Sequence, residues 1–191
     1  MAVRSVYVSE VEYLQAERQA SVKSEYLAGQ VFAMAGASRA HNRIVFNLGG
    51  LLYTALQGRE CEAYLGDMRV KIPQASAYFY PDVAIVCGKP QFEDEQEDSL
   101  LNPMVVIEVL SPSTEGFDRG EKFLLYQRLP SLREYVLVSQ QSMRVEQFVR
   151  LPDGGWQRRE YTRPEQVMQL ESVGVALSVQ AVYEGVELSE G

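Results

Sequence analysis

Two stretches of this 191-residue chain carry residues that could do chemistry together. The first, Pro103 to Arg128, opens on an apolar run of Met104, Val105, Val106, Ile107, Val109 and Leu110 that a single carboxylate, Glu108, interrupts. A carboxylate among apolar neighbours is costly unless it is protonated, paired or bound to a metal ion. Past Ser111-Pro112-Ser113 the chain turns into a helix on which Asp118, Lys122 and Tyr126 recur every fourth residue, so they share one face. The second stretch, Tyr80-Pro81-Asp82-Val83-Ala84-Ile85-Val86, is a strand begun through Pro-Asp, and Asp82 supplies another acid. A strand holding an acid, followed by a helix that carries an amine back toward it, makes half of an active site. Two such carboxylates offer the hard oxygen ligands that a small divalent cation takes.

The elements that must position these groups follow from periodicity. The run around Glu108 is β-branched and of strand length, so it predicts a strand buried on both faces. Ser9 and Glu12 form a capping box ahead of a helix over about Glu10 to Gln19. Two short strands follow as a hairpin around Ala28-Gly29-Gln30, with Glu25 in the first. Ile44, Leu48, Leu51, Leu52, Ala55 and Leu56 mark an amphipathic helix from Ser38 to about Gln57. Gly49-Gly50 inside it costs helix propensity, which a close helix-to-sheet contact would explain. Strands are predicted over Cys61 to Tyr64, Met68 to Ile72, Phe79 to Cys87 and Glu134 to Ser139. Arg144 to Arg150 and Gly155 to Tyr161 form a further pair about a Pro-Asp-Gly-Gly turn, and the tail adds a short strand and a helical turn. The order predicts an α/β (α+β) domain: a mixed β-sheet flanked by helices, with additional antiparallel strands, in one domain over residues 1–191.

Composition narrows the class. The chain is 46% apolar and 23% charged, as soluble domains are, and has no apolar run near the length of a membrane span. MAVRSVYVSE has no long apolar segment, so no signal peptide is expected, and Cys61 and Cys87 read as buried reduced thiols of a cytoplasmic protein. The net charge of -8 argues mildly against nucleic acid. Five of those charges, Glu93, Asp94, Glu95, Glu97 and Asp98, lie in a segment over Gly88 to Asn102 that reads as a mobile surface loop, and without them -3 remains. The basic residues are fourteen arginines and four lysines, and arginine's planar fork suits phosphate.

Together, Pro81-Asp82, Glu108 within VVIEVLSPS, and Lys122 on the next helix resemble the PD-(D/E)XK nuclease superfamily, the restriction-endonuclease-like fold. More narrowly, SEYLAGQVFAMAG, the single histidine, PDVAIV, and VIEVLSPST followed by D-x-x-x-K-x-x-x-Y resemble its Uma-type restriction endonuclease domain, over about residues 9–185. The resemblance implies a metal-dependent endonuclease that hydrolyses DNA phosphodiester bonds. Asp82 and Glu108 would bind Mg²⁺, with the backbone carbonyl of Val109 as a third ligand and Glu25 as an N-terminal acid completing the site. Lys122 would be the active-site lysine. The superfamily usually places that lysine two residues after the second acid, where this chain has Leu110, so here the amine has moved onto the helix. A homodimer is implied by the same resemblance, because nucleases that cut both strands often work in pairs.

Each residue has a plainer reading. Asp82 can cap the start of its strand, Glu108 can pair with an arginine, and Asp118 with Lys122 can be an ordinary helix-surface pair. Tyr126 and Trp156 read as packing residues and Ser111 as a helix cap. His41, the only histidine, opens the second helix, where a surface or N-terminal role is expected of it. The competing class is a catalytically inactive nucleic-acid-binding or scaffold module on the same fold, or a dimerisation domain, since fold does not fix function.

Overall fold

The computed structural model describes residues 7–188. Part of the N-terminal stretch read for a signal peptide lies outside them. Helix α1 (Glu10–Glu17) starts on the expected capping box, with Ser9 N–H donating to the Glu12 carboxylate at 2.8 Å. Strands β1 (Ser24–Leu27) and β2 (Gln30–Ala33) form the expected hairpin. Its turn residues Ala28 and Gly29 have φ of 47° and 91°, the positive values a two-residue hairpin turn needs. A side chain at position 29 would also overlap the Tyr7 ring.

Helix α2 (Arg39–Ala55) buries Ile44, Leu48 and Leu52. The expected close contact holds at Gly49, where a Cβ would come within 2.7 Å of Leu65 Cδ1, but Gly50 faces open space. Next come β3 (Cys61–Leu65), β4 (Arg69–Ile72), β5 (Ala77–Phe79), β6 (Val83–Cys87), β7 (Ser99–Leu100) and β8 (Val105–Leu110). The helix after β8 has three parts: α3 (Glu115–Phe117), a π-helical turn (Asp118–Lys122) and α4 (Phe123–Tyr126). Strands β9 (Glu134–Ser139), β10 (Val145–Arg150), β11 (Trp156–Tyr161), β12 (Val167–Leu170) and β13 (Val175–Ser178), then α5 (Val179–Val182), complete the order.

The central sheet runs β11-β10-β9-β8-β6-β3, and only its β8–β9 pair is parallel. A second sheet runs β2-β1-β5-β4-β7, and β12-β13 form a separate hairpin. Apart from Glu108, strand β8 is apolar because both its faces are covered. Val105, Ile107 and Val109 pack into a cluster with α2, the β12-β13 hairpin and α5. Val106 and Leu110 point the other way, into a cluster with Phe123, Leu125 and Tyr126 of α4 and with Val70, Ile72 and Phe79 of the second sheet. The α3–π–α4 helix therefore lies between the two sheets. Glu108 is an even-numbered residue of β8 and faces that helix. Trp156 is a packing residue, as expected, with its ring 5.2 Å from that of Phe123.

Three expectations are corrected. The strand expected over Phe79 to Cys87 is two strands of different sheets, broken at Tyr80-Pro81-Asp82, because proline has no N–H for a ladder. The Tyr80 N–H turns aside to the Glu25 carboxylate at 3.1 Å. The acidic segment is held rather than free. It contributes β7 to the second sheet, Arg18 bridges Asp94 and Asp98, Arg69 reaches Asp98, and Lys71 meets Glu93. Finally, Cys61 and Cys87 form a disulfide instead of remaining thiols. They lie directly opposite each other in the β3–β6 register with Cα atoms 4.0 Å apart, a juxtaposition that positions 26 residues apart do not disclose.

Candidate active site

Register brings the two acids together. In the antiparallel β6–β8 pair Val83 stands opposite Ile107, and one step further sets Asp82 opposite Glu108. Directly opposed residues project from the same face of a sheet with Cβ atoms about 5 Å apart. Asp82 lies just before the strand, where its Oδ2 accepts the Val109 N–H at 2.7 Å. Val109 thus touches this group through its amide.

From the covering helix, Lys122 puts its Nζ 3.0 Å from Glu108 Oε1, 3.0 Å from Glu25 Oε1 and 3.5 Å from Asp118 Oδ1. Glu25 arrives from β1 of the second sheet, so the amine joins both sheets and its own helix. These side chains are shielded: Lys122 and Glu108 are each 5% exposed, Asp118 6% and Glu25 16%. The pair Asp118–Lys122 is therefore a buried contact and not the surface pair of the plainer reading. The partner of Glu108 is a lysine, not an arginine.

The electrostatics follow from the count of charges. Burial drives the Glu108 carboxyl well above its ordinary pKa; Lys122 opposes this, while Asp118, Asp82 and Glu25 add to it. Burial alone would lower the Lys122 ammonium. Glu108, Glu25 and Asp118 outweigh it and hold the amine well above an ordinary lysine. The two directions agree, because one ammonium cannot balance this many buried carboxylates, so protons or a further cation must make up the difference.

Among the described residues, two buried oxygens in this cluster lack hydrogen-bond partners. Glu108 Oε1 is close to Lys122 but is not aligned for a hydrogen bond, and the Tyr126 hydroxyl has no partner. Burial first, then Glu108, Glu25, Asp118 and Asp82, raises the Tyr126 phenol, which keeps it protonated. Tyr126 is both a core residue, as expected, and a wall of the site. The Tyr135 hydroxyl donates to the Asp118 backbone carbonyl at 3.0 Å, securing the π turn.

The expected residues Glu25, Asp82, Glu108, Val109 and Lys122 thus fall in one neighbourhood. Asp118 joins them. So does His41, whose Nε2 lies 3.2 Å from Asp82 Oδ2 with the ring 15% exposed. The surface or helix-end role expected of His41 is only half met: it is in the first turn of α2, but turned inward. No local pattern marks it, because the contact joins α2 to a strand start 41 positions on. Ser111 is not the helix cap expected: Thr114 holds that position, and Ser111 Oγ accepts the Thr114 N–H at 3.3 Å in the turn before the helix.

Among the described residues, no three His, Cys, Asp or Glu side chains are already arranged to hold a metal ion. The donor set nevertheless suits a divalent cation. Carboxylate oxygens are the ligands Mg²⁺ takes, Glu108 Oε1 is buried without a hydrogen bond, and the cluster is short of positive charge.

Comparison with known proteins agrees with this fold. The model of the family described as "Uma2: Putative restriction endonuclease" matches residues 11–180. Two uncharacterized proteins of Synechocystis are similar. One is 43% identical over 145 residues, covering 76% of this chain and 82% of the relative. The other is 36% identical over 178 residues, covering 93% and 92%. A protein of Anabaena variabilis, whose crystal structure is described as that of a putative nuclease, superposes with a TM-score of 0.75 at 15% identity. The match covers 94% of this chain and 99% of that one, and at this identity it establishes the shared fold. The mixed sheet flanked by helices is the restriction-endonuclease-like fold that the resemblance implied.

Proposed function

Because this chain belongs to the Uma2 family of restriction-endonuclease-like proteins, we propose that the cluster of Asp82, Glu108, Glu25 and Lys122 is the active site of a Mg²⁺-dependent endonuclease acting on DNA. The observation that carries the reading is the convergence of Lys122 with Glu108 and Glu25, at 3.0 Å each, beside Asp82. A surplus of buried carboxylates around one ammonium suits a protein that receives a second cation.

Asp82 and Glu108 would hold the ion, with Glu25 and the Val109 carbonyl as accessory ligands. When bound, Mg²⁺ supplies concentrated positive charge against the scissile phosphate and acidifies water. The remaining work falls to side chains. Lys122, kept charged by its acidic neighbours, faces the negative charge that grows on phosphorus-bound oxygen during hydrolysis. A preformed donor of this kind contributes about 10²–10³-fold in rate. Glu25 and Asp118 aim the amine from two sides, and the Val109 amide fixes Asp82. Burial by Phe79, whose ring lies 5.3 Å from Nζ, keeps bulk water from screening the charge.

The net acidity of the chain does not oppose DNA as substrate as strongly as its count implies. Glu93, Asp94 and Asp98 are engaged by Lys71, Arg18 and Arg69, so the acidic segment is partly neutralised within the fold. Two copies acting together would cut both strands.

The test is nicking of supercoiled plasmid, run beside calorimetric titration with Mg²⁺. The native protein should bind the ion and nick the plasmid, and chelator should stop it. Asp82→Ala and Glu108→Ala should abolish cleavage, and Lys122→Ala should slow it about 10²–10³-fold. Absence of divalent binding at millimolar concentration would remove the enzyme reading and leave the scaffold alternative. Cleavage indifferent to Lys122→Ala would mean that the amine has another task.

A further inference from the structure

We propose that His41 is a positioning residue of this site: its Nε2–H donates to Asp82 Oδ2 and, with the Val109 amide, fixes that carboxylate so that Oδ1 is the oxygen presented to a cation. The inference rests on the reading that Asp82 is a cation ligand. Oδ2 accepts the Val109 N–H at 2.7 Å, and His41 Nε2 stands 3.2 Å from the same oxygen. Among the described residues Oδ1 has no hydrogen-bond partner. One oxygen is tied and the other is left for a ligand.

The histidine is itself held. The His41 N–H donates to Ser38 Oγ at 3.0 Å, which sets the ring in the first turn of α2. Ser38 Oγ also bonds the Gln140 side chain, just past β9. A chain of contacts therefore runs from the end of β9 through Gln140, Ser38 and His41 to Asp82, and on to the Val109 amide in β8. The strands bearing the two acids and the helix covering their opposite face are tied at one point. Among the described residues His41 Nδ1 is buried without a partner, so the ring is not placed to satisfy both its nitrogens. Its orientation serves Nε2. Outer partners that orient metal-binding groups are worth about 10–100-fold in metal affinity.

His41 is the only histidine in the chain, so its imidazole signals can be read without assignment. In a long-range ¹⁵N–¹H spectrum of the native protein, the ring should carry its proton on Nε2, protected from exchange with water. Asp82→Ala should remove that protection. In parallel, Mg²⁺ alone is titrated by calorimetry into the native protein and two variants. His41→Ala should weaken binding about 10–100-fold. His41→Gln, whose amide can still donate, should recover part of the loss, and circular dichroism should show both variants folded. An unprotected ring proton in the native protein, or His41→Ala binding Mg²⁺ as the native protein does, overturns the positioning role alone. Absence of Mg²⁺ binding by the native protein itself overturns the functional reading, and this inference with it.

Discussion

Lys122→Met removes one positive charge while keeping most of the side-chain volume, so its cost isolates the electrostatics of the cluster. The ammonium contacts Glu108 and Glu25 at 3.0 Å and Asp118 at 3.5 Å, all shielded from water. Breaking a buried pair from one side costs about 3–5 kcal/mol. The cluster has an alternative, which is to take up one more proton. For a carboxyl with an ordinary value of 4.5, protonation costs about 5 kcal/mol near pH 8 and about 0.7 kcal/mol near pH 5. The predicted deficit is therefore about 3–5 kcal/mol near pH 8 and under about 1 kcal/mol near pH 5. The sign follows from linkage. A carboxyl whose folded pKa is raised is at no disadvantage below its unfolded value and loses stability as pH climbs toward the folded one. Urea unfolding followed by fluorescence of Trp156, the only tryptophan, reads this directly. A variant as stable as the native protein near pH 8, or one with the same deficit at both pH values, would refute the claim that Lys122 neutralises buried acids.

Other outcomes follow from elements away from the site. Reducing the Cys61–Cys87 bond, which closes a loop over 26 positions, should lower stability by about 3.5 kcal/mol in urea, and Cys61→Ser should reproduce the loss without reductant. Arg18, against the effect of burial and with help from Arg69, holds the Asp98 carboxyl well below its ordinary 3.8, so the stability it adds is present above that value and lost as acid is added. Asp98→Asn should flatten the acid limb of the stability curve and open residues 88–102 to protease. Gly50→Ala should raise the melting midpoint, adding about 0.5–1 kcal/mol, since its Cβ meets open space. Gly49→Ala should gain less, because Leu65 must yield.

What could be read in advance was what short-range pattern encodes. The covering of β8 on both faces, the amphipathic run of α2 and the hairpin at Ala28-Gly29 follow from the spacing of apolar residues and turn chemistry. So does the shared face of Asp118, Lys122 and Tyr126. The nearness of Asp82 to Glu108 came through resemblance, and the structure supplies its cause in the β6–β8 register. What escaped depends on partners remote in sequence. Whether cysteines face each other is decided by strand pairing, and the acidic run is quieted by Arg18, just past α1, and by Arg69 and Lys71 of β4. His41 joins the site only because the first turn of α2 abuts the start of β6. Composition counts charges but does not show which are already matched.

The π-helical turn at Asp118–Lys122 sets a distinctive kind of tolerance. A turn of this sort holds one residue beyond what an α-helix needs over the same rise, and such turns gather at working sites. On either side the helix is anchored by aromatic packing, Phe117 against Phe79 and Phe123 against Tyr135. Shortening the turn by deleting Gly120 would leave both anchors in phase and convert the segment to plain α-helix. The surplus residue is thus dispensable to the hydrophobic architecture and serves the polar groups of the turn: the inward Lys122 and Asp118, and Arg119, which meets the buried Glu146. Loss of a single codon there would yield a protein that still assembles yet presents a rearranged charge cluster, separating durability from chemistry in one molecule.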